Sequence, residues 1–146
     1  MGTRSDYEVV PYASHHAAQL GQAFRNPKAR DIYETGGPGF TLLYRGRVIA
    51  GGGVIILWSG VGDAWALLGP ESRQHLRAIQ FYTRRGLEMV CREHHLRRVQ
   101  ALVVKDFEAA RRWVESLGFQ VEGEMPLAGP SGETLVRYTH FPQGEA

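Results

Sequence analysis

The sequence predicts an α/β (α+β) fold, and three observations carry that prediction. Strand-like and helix-like segments follow one another in the order strand, two helices, three strands, helix, strand, helix, two strands. Phe40–Tyr44 and Arg47–Leu57 flank Arg45-Gly46 as a hairpin. The stretch from Ala66 to Ile79 runs from an apolar strand through Gly69-Pro70 straight into a long helix. No internal repeat, low-complexity tract or linker interrupts the order, so the 146 residues are read as a single domain over residues 1–146. With 43% hydrophobic residues such a chain buries roughly two-thirds of its unfolded surface.

Tyr7–Tyr12 reads as a first short strand. Ser14 is the predicted cap of a helix reaching about Arg25, with Ala18, Leu20 and Phe24 available for burial, and Asn26-Pro27 ends it. A second short helix, Pro27 to Glu34, gives way to the loop Thr35-Gly36-Gly37-Pro38-Gly39. Inside the second hairpin strand, Gly51-Gly52-Gly53 predicts a bulge or the close approach of another backbone or a ligand. Trp58–Asp63 reads as the next turn and Ala64–Leu68 as a strand whose continuous apolar character predicts burial on both faces.

The long helix is expected from Ser72, as N-cap, to His95. Its core stripe is Leu76, Ile79, Thr83, Leu87, Val90 and His94, with Gly86 beside it to admit close packing and Cys91 as a small core residue. Arg97–Val104 is the next strand. Asp106 is expected to cap a helix to Leu117, which Gly118 ends. Phe119–Glu124 and Thr134–Phe141 form a last strand pair. The loop between them, Met125–Glu133, is longer than a hairpin needs, as loops that cover a substrate are. The Trp58 region and the final strand offer edges through which a homodimer could pair.

Composition narrows the function. The net charge of +2 is carried almost wholly by arginine, since Lys28 and Lys105 are the only lysines. The arginines alternate with Glu88, Glu93, Glu108 and Glu115 and form no continuous basic face, which argues against a nucleic-acid binder. One cysteine builds neither a disulfide framework nor a cysteine-rich zinc site, and His15-His16 and His94-His95 lack metal-ligand spacing, so no metal is expected. The short polar start and the lack of any membrane-length apolar run predict a soluble cytoplasmic protein without a membrane partner.

The strand-to-helix junction is the predicted binding point. A helix start presents unpaired N–H groups and about half a positive charge, which suit a phosphate or carboxylate. Arg73, His75 and Arg77 add positive side chains there.

That element order, the Leu67-Leu68-Gly69-Pro70-Glu71-Ser72-Arg73 junction and the ending Glu115-Ser116-Leu117-Gly118-Phe119 together resemble the GNAT acetyltransferase superfamily over nearly the whole chain. The resemblance implies a central mixed, mostly antiparallel sheet with helices on both faces. It also implies two splayed strands, one before and one after the long helix, with acetyl-CoA in the gap and its pyrophosphate on the helix start. The cofactor-binding positions it implies are Leu67, Leu68, Arg73, Gln74, His75, Leu76, Arg77, Ala78 and Asp106.

This chain departs from the family pattern at specific positions. The family's pyrophosphate loop carries Arg or Gln, two variable residues, Gly, one variable residue, then Gly or Ala. Here it reads Arg73-Gln74-His75-Leu76-Arg77-Ala78, with leucine in place of the middle glycine. The expected accommodation is a helix that begins early and turns Leu76 into the core; the weakened loop predicts weakened acetyl-CoA binding. The family's general-acid tyrosine falls at Val114, next to Trp113, and its asparagine is replaced in the Lys105-Asp106-Phe107 region. Tyr82, Tyr138 and His140 are the remaining proton donors, and Tyr82 is the chosen candidate. For the general base the candidates are Asp63 and Glu34, with Asp63 first because it adjoins the strand where the family often carries its base.

Two functions follow from the resemblance. One is an N-acetyltransferase passing an acetyl group from acetyl-CoA to an unidentified small or peptidic primary amine. The other is a GNAT-like domain without chemistry. The Gly-rich third strand, altered phosphate loop and Leu117-Gly118-Phe119 ending look like a phage-encoded subgroup that includes internal virion proteins, whose partners are other phage proteins in the host cytoplasm or virion.

Overall fold

The computed structural model describes residues 3–21 and 27–143, so Phe24, Arg25 and Asn26, expected near the end of the first helix, lie outside the described residues. The chain is a mixed α/β fold with one seven-stranded, mostly antiparallel sheet. Its elements are β1 (Tyr7–Pro11), α1 (Ser14–Gln19), α2 (Pro27–Thr35), β2 (Gly39–Tyr44), β3 (Arg47–Trp58), β4 (Val61–Leu68), α3 (Leu76–Glu93), β5 (Arg98–Val104), α4 (Glu108–Ser116), β6 (Gln120–Met125) and β7 (Leu135–His140). Spatially the strands run β1-β2-β3-β4-β5-β7-β6. The element order is the one the sequence predicts, with short 3-10 turns added at 4–6 and 72–75.

The hairpin turn has a simple cause. Arg45 and Gly46 both take positive φ, 48° and 81°, the pair of conformations that matches the twist of two antiparallel strands across a two-residue loop. The glycine tract of β3 answers to close approach. A Cβ on Gly53 would lie 2.5 Å from the Pro38 carbonyl oxygen, 2.8 Å from Gly39 Cα and 2.9 Å from Cζ2 of Trp65. Gly86, by contrast, is not required by packing, since a Cβ there would meet only Phe40 at 4.0 Å.

Strand alternation sorts the core onto two faces. Leu67 on β4 packs with Tyr12, Ala17, Leu20, Tyr33 and Trp65 under α1 and α2. Ala64, Val54, Val90, Cys91, Val99, Val103 and Val114 pack on the other face under α3 and α4. A third cluster joins Leu42, Ile49 and Ile79 to Tyr7, Tyr44 and Tyr82. Cys91 is buried, as expected of a small core residue, and burial pushes its thiol up to about 11.

Several local expectations are corrected. Ser14 does not cap α1: Ala13 holds that position, and the Ser14 hydroxyl donates instead to Glu34. β4 begins at Val61, so Asp63 lies in a strand and not in a turn. β4 is also not buried on both faces, since Leu68 is 41% exposed. Ser72 is no N-cap: a 3-10 turn covers Ser72–His75, α3 starts at Leu76, and no side chain caps either start. Phe107, not Asp106, stands at the N-cap of α4. The final strand is interior, because β7 pairs with both β5 and β6; the sheet edges are β1 and β6.

Candidate functional site

β4 and β5 run parallel but share only three rungs, Val61 with Arg98, Gly62 with Val99 and Asp63 with Gln100. Beyond Asp63 both strands continue, to Leu68 and Val104, without pairing to each other. Their facing backbone groups open onto a wedge in the middle of the sheet, where N–H and C=O groups require partners. An extended ligand with its own amides satisfies such groups as a surrogate strand does. Seven residues, including the 3-10 turn Ser72–His75, carry the chain from the end of β4, at the wide end of that wedge, to the start of α3.

The residues expected to take an anion divide there. Arg73, Gln74 and Arg77 are exposed and available, and Ala78 is half-buried. His75 is corrected: it is 3% exposed, its Nδ1 shares a 2.6 Å hydrogen bond with the Tyr7 hydroxyl, and it serves to tie the turn to β1. Glu71 anchors the same turn to β3 through Arg47 at 3.2 Å. Leu76 is also corrected. It does not enter the core but is 58% exposed, because α3 starts late and places its first residue outward. Of the β4 pair, the Leu67 side chain is buried under α1 while Leu68 is partly exposed. Asp106 is exposed in the turn after β5.

At the narrow end stands Asp63, on the last shared rung. Burial alone pushes its carboxyl above the ordinary range. Among the described residues no hydrogen bond or ion pair engages that carboxylate. Glu34 differs in every respect: it accepts hydrogen bonds from the Ser14 hydroxyl and from the Ser14 backbone N–H at 2.9 Å, and these hold its carboxyl below the usual range. A carboxylate already satisfied by two donors is a poor proton acceptor, and a half-buried one with no donor on it is a better one.

Asp63 shares its face of β4 with Trp65. Tyr33 of α2 lies flat on that indole, ring centroids 4.4 Å apart and planes 7° apart, and Tyr12 meets it edge-on at 4.8 Å. Burial and then the charge of Asp63 raise the Tyr33 hydroxyl above its usual range. This aromatic group is the part that sequence reading missed. The signal was the alternation Asp63, Trp65, Leu67, hidden by placing the strand start at Ala64.

The candidate proton donors lie elsewhere. Tyr82 sits with Tyr7, Tyr44 and Trp113 on the α3 side, the opposite face from Asp63. Tyr138 is fully buried, donating to Glu115 at 2.7 Å and accepting from Arg111 at 3.0 Å. The His140 ring packs against Phe119, 5.5 Å between centroids. Val114 and Trp113 belong to the core. Among the described residues no group of three or more His, Cys, Asp or Glu is placed to hold a metal ion. No described helix is long and apolar enough to cross a membrane.

No family model matches the chain, and no curated protein matches it. Solved structures do. A mutant of the spermidine N-acetyltransferase SpeG from Vibrio cholerae superposes with a TM-score of 0.75 at 12% identity, covering 96% of each chain. The putative acetyltransferase yncA from Salmonella typhimurium, solved with its cofactor acetyl-CoA, gives 0.74 at 15% identity over 97% of this chain and 96% of that one. A dodecameric form of the Vibrio cholerae enzyme gives 0.72 at 12%, again over 96% of each. At such identities the likeness shows the fold, which is GNAT-like, and function must come from the site.

Proposed function

We propose that the chain is an acyl-CoA-dependent N-acyltransferase that passes an acetyl group from acetyl-CoA to a primary amine. The observation that carries this reading is the wedge itself: two parallel strands that separate one rung past a half-buried carboxylate, with the chain leading from the wide end into a helix N-terminus. The residues fit the group. The free backbone edges of Ala64–Leu68 and Ala101–Val104 suit the amides of a pantetheine arm. The start of α3 with Arg73, Gln74 and Arg77 suits a pyrophosphate. Leu68, Leu102 and Phe107, at 41%, 43% and 59% exposure, offer apolar surface on the strands and turn that border the wedge.

Acetyl-CoA, when bound, supplies an activated thioester. The chain's own part is to hold, to exclude water and to move a proton. Asp63 accepts the proton that an ammonium must lose before its nitrogen can attack, and its raised affinity for protons favours that step near neutral pH. Backbone N–H groups of β4 near the narrow end are the fixed donors for developing negative charge. Tyr82 lies on the α3 side of the sheet, opposite Asp63, so Asp63 is the proton-handling side chain of the wedge's narrow end.

One observation favours a second reading. Exposed Leu76 places an apolar side chain where a dianion would lie, as expected of a GNAT-like domain that binds partner proteins and carries out no chemistry. A thiol-release assay with acetyl-CoA and a panel of primary amines separates the two. Amine-dependent release that Asp63→Asn lowers at least a hundredfold supports the enzyme, and release no faster than hydrolysis with every amine favours the partner-binding domain.

A further inference from the structure

We propose that Gln100 contacts the amine beside Asp63, and that it selects an amine with a neutral carbonyl oxygen on the carbon next to its nitrogen-bearing carbon, as in an α-amino amide. The proposal rests on the acyl-transfer reading for the chemistry but not for the binding site.

Gln100 is the β5 partner of Asp63 on the last rung that the two strands share. Register partners project to the same face of a sheet, and neighbouring strands lie about 4.8 Å apart. The amide and the carboxylate therefore flank the point where the wedge begins to open, and both residues are half-buried.

The amide is locked in one orientation. Arg98, two residues earlier on the same face of β5, donates to Gln100 Oε1 from Nε at 3.3 Å and from Nη2 at 3.2 Å. Arg98 is itself fixed, because it also donates to both carboxylate oxygens of Glu122, at 2.7 and 2.5 Å. A guanidinium carries donors only, so the amide atom that faces it is the oxygen, and Nε2 is the end turned away. Among the described residues no hydrogen bond takes up Gln100 Nε2, and none takes up the Asp63 carboxylate.

The narrow end thus sets a head group that only accepts beside one that only donates. An ammonium answers the first, and an oxygen answers the second. A nitrogen and a carbonyl oxygen on adjacent carbons stand about 3 Å apart, a span that two head groups on neighbouring strands can meet together. A carbonyl oxygen leaves no hydrogen to place, whereas a carboxylate there would bring a second negative charge beside Asp63. Because Arg98 holds the amide before any ligand arrives, little rotamer freedom is left to lose on binding. Anchoring Arg98 does not by itself call for glutamine, since a glutamate would accept from the same guanidinium with a full charge. What only the amide supplies is the donor.

The test is an NMR titration of the isotope-labelled full chain with glycinamide and with isobutylamine, which has two methyls in place of the amide, each with and without CoA. The Gln100 side-chain amide signal is identified by its loss in Gln100→Leu. The expected result is that glycinamide binds about tenfold tighter than isobutylamine and shifts that signal, which isobutylamine leaves in place. Gln100→Leu and Gln100→Glu each bring the two amines to within about twofold of one another, the second while keeping a partner for Arg98. Asp63→Asn weakens both amines about tenfold. Isobutylamine binding as tightly as glycinamide overturns the proposal, as does a preference that survives in either Gln100 variant. The preference in a chain that takes up no CoA supports the amine contact and overturns the acyl-transfer reading alone. CoA uptake without the preference overturns the Gln100 assignment and leaves that reading in place.

Discussion

Replacing Gly53 with alanine tests whether the β3 glycines serve to seat Trp65. The new Cβ would stand 2.5 Å from a carbonyl oxygen, 2.8 Å from a Cα and 2.9 Å from the indole. Two of these three are backbone atoms, and the Pro38 carbonyl also accepts the Val54 N–H at 3.0 Å, so it is not free to retreat. Overpacking of this kind costs about 1 to 3 kcal/mol. Alanine returns about 0.5 to 1 kcal/mol through the unfolded chain, leaving a net loss between about 0 and 2.5 kcal/mol, in the upper half of that range, about 1 to 2 kcal/mol, because two of the three close contacts are fixed backbone. For a chain of this length that lowers Tm by roughly 3 to 6 °C. Gly123 supplies the control, because a Cβ there meets nothing within 4 Å and its φ is not positive. Gly123→Ala should therefore be neutral or slightly stabilising. Urea unfolding followed by tryptophan emission reads both variants, and Gly53→Ala should also shift the emission of displaced Trp65. Equal stability of the two variants would refute the close-approach reading and return the glycines to the role of ligand contacts.

Three other outcomes are expected. Burial raises the affinity of Asp63 for its proton, so the stabilisation of the protonated form is complete below the unfolded value near 3.8 and is lost as pH rises through the raised folded value. Asp63→Asn removes the charged-state penalty, so thermal unfolding at pH 7 should show a Tm at or above wild type while acyl transfer falls about 10²- to 10⁴-fold; a less stable or fully active variant contradicts this. Tyr7→Phe strips the partner from buried His75 and should cost about 1 to 3 kcal/mol in urea unfolding, with looser CoA binding. Leu76→Gly removes an exposed side chain at the first helical position and should tighten CoA binding several-fold in calorimetry, at a stability cost under about 1 kcal/mol.

The fold was legible because its elements announce themselves locally. Arg45-Gly46 between apolar runs, Gly118 after a helix and the valine-rich segment Val99–Val104 each favour one conformation without help from distant residues. Placement was legible where a single residue decides, as with the exposure of Arg73 and Arg77 around the start of α3. It failed where tertiary contacts decide. Leu76 reads as a stripe residue by spacing, yet the 3-10 turn before it resets the helix start and turns it outward. His75 reads as a surface cation, yet Tyr7, 68 positions earlier, draws it into the interior. The Tyr12–Trp65–Tyr33 group joins three distant elements and has no signature in any one of them.

Calorimetric titration of the purified chain with acetyl-CoA tests the central claim most directly, that the wedge between β4 and β5 is an acyl-CoA site. The account predicts saturable one-to-one binding with a Kd on the order of 1 to 100 μM, displaced by CoA. No heat, together with a Tm unchanged at millimolar acetyl-CoA, would contradict it.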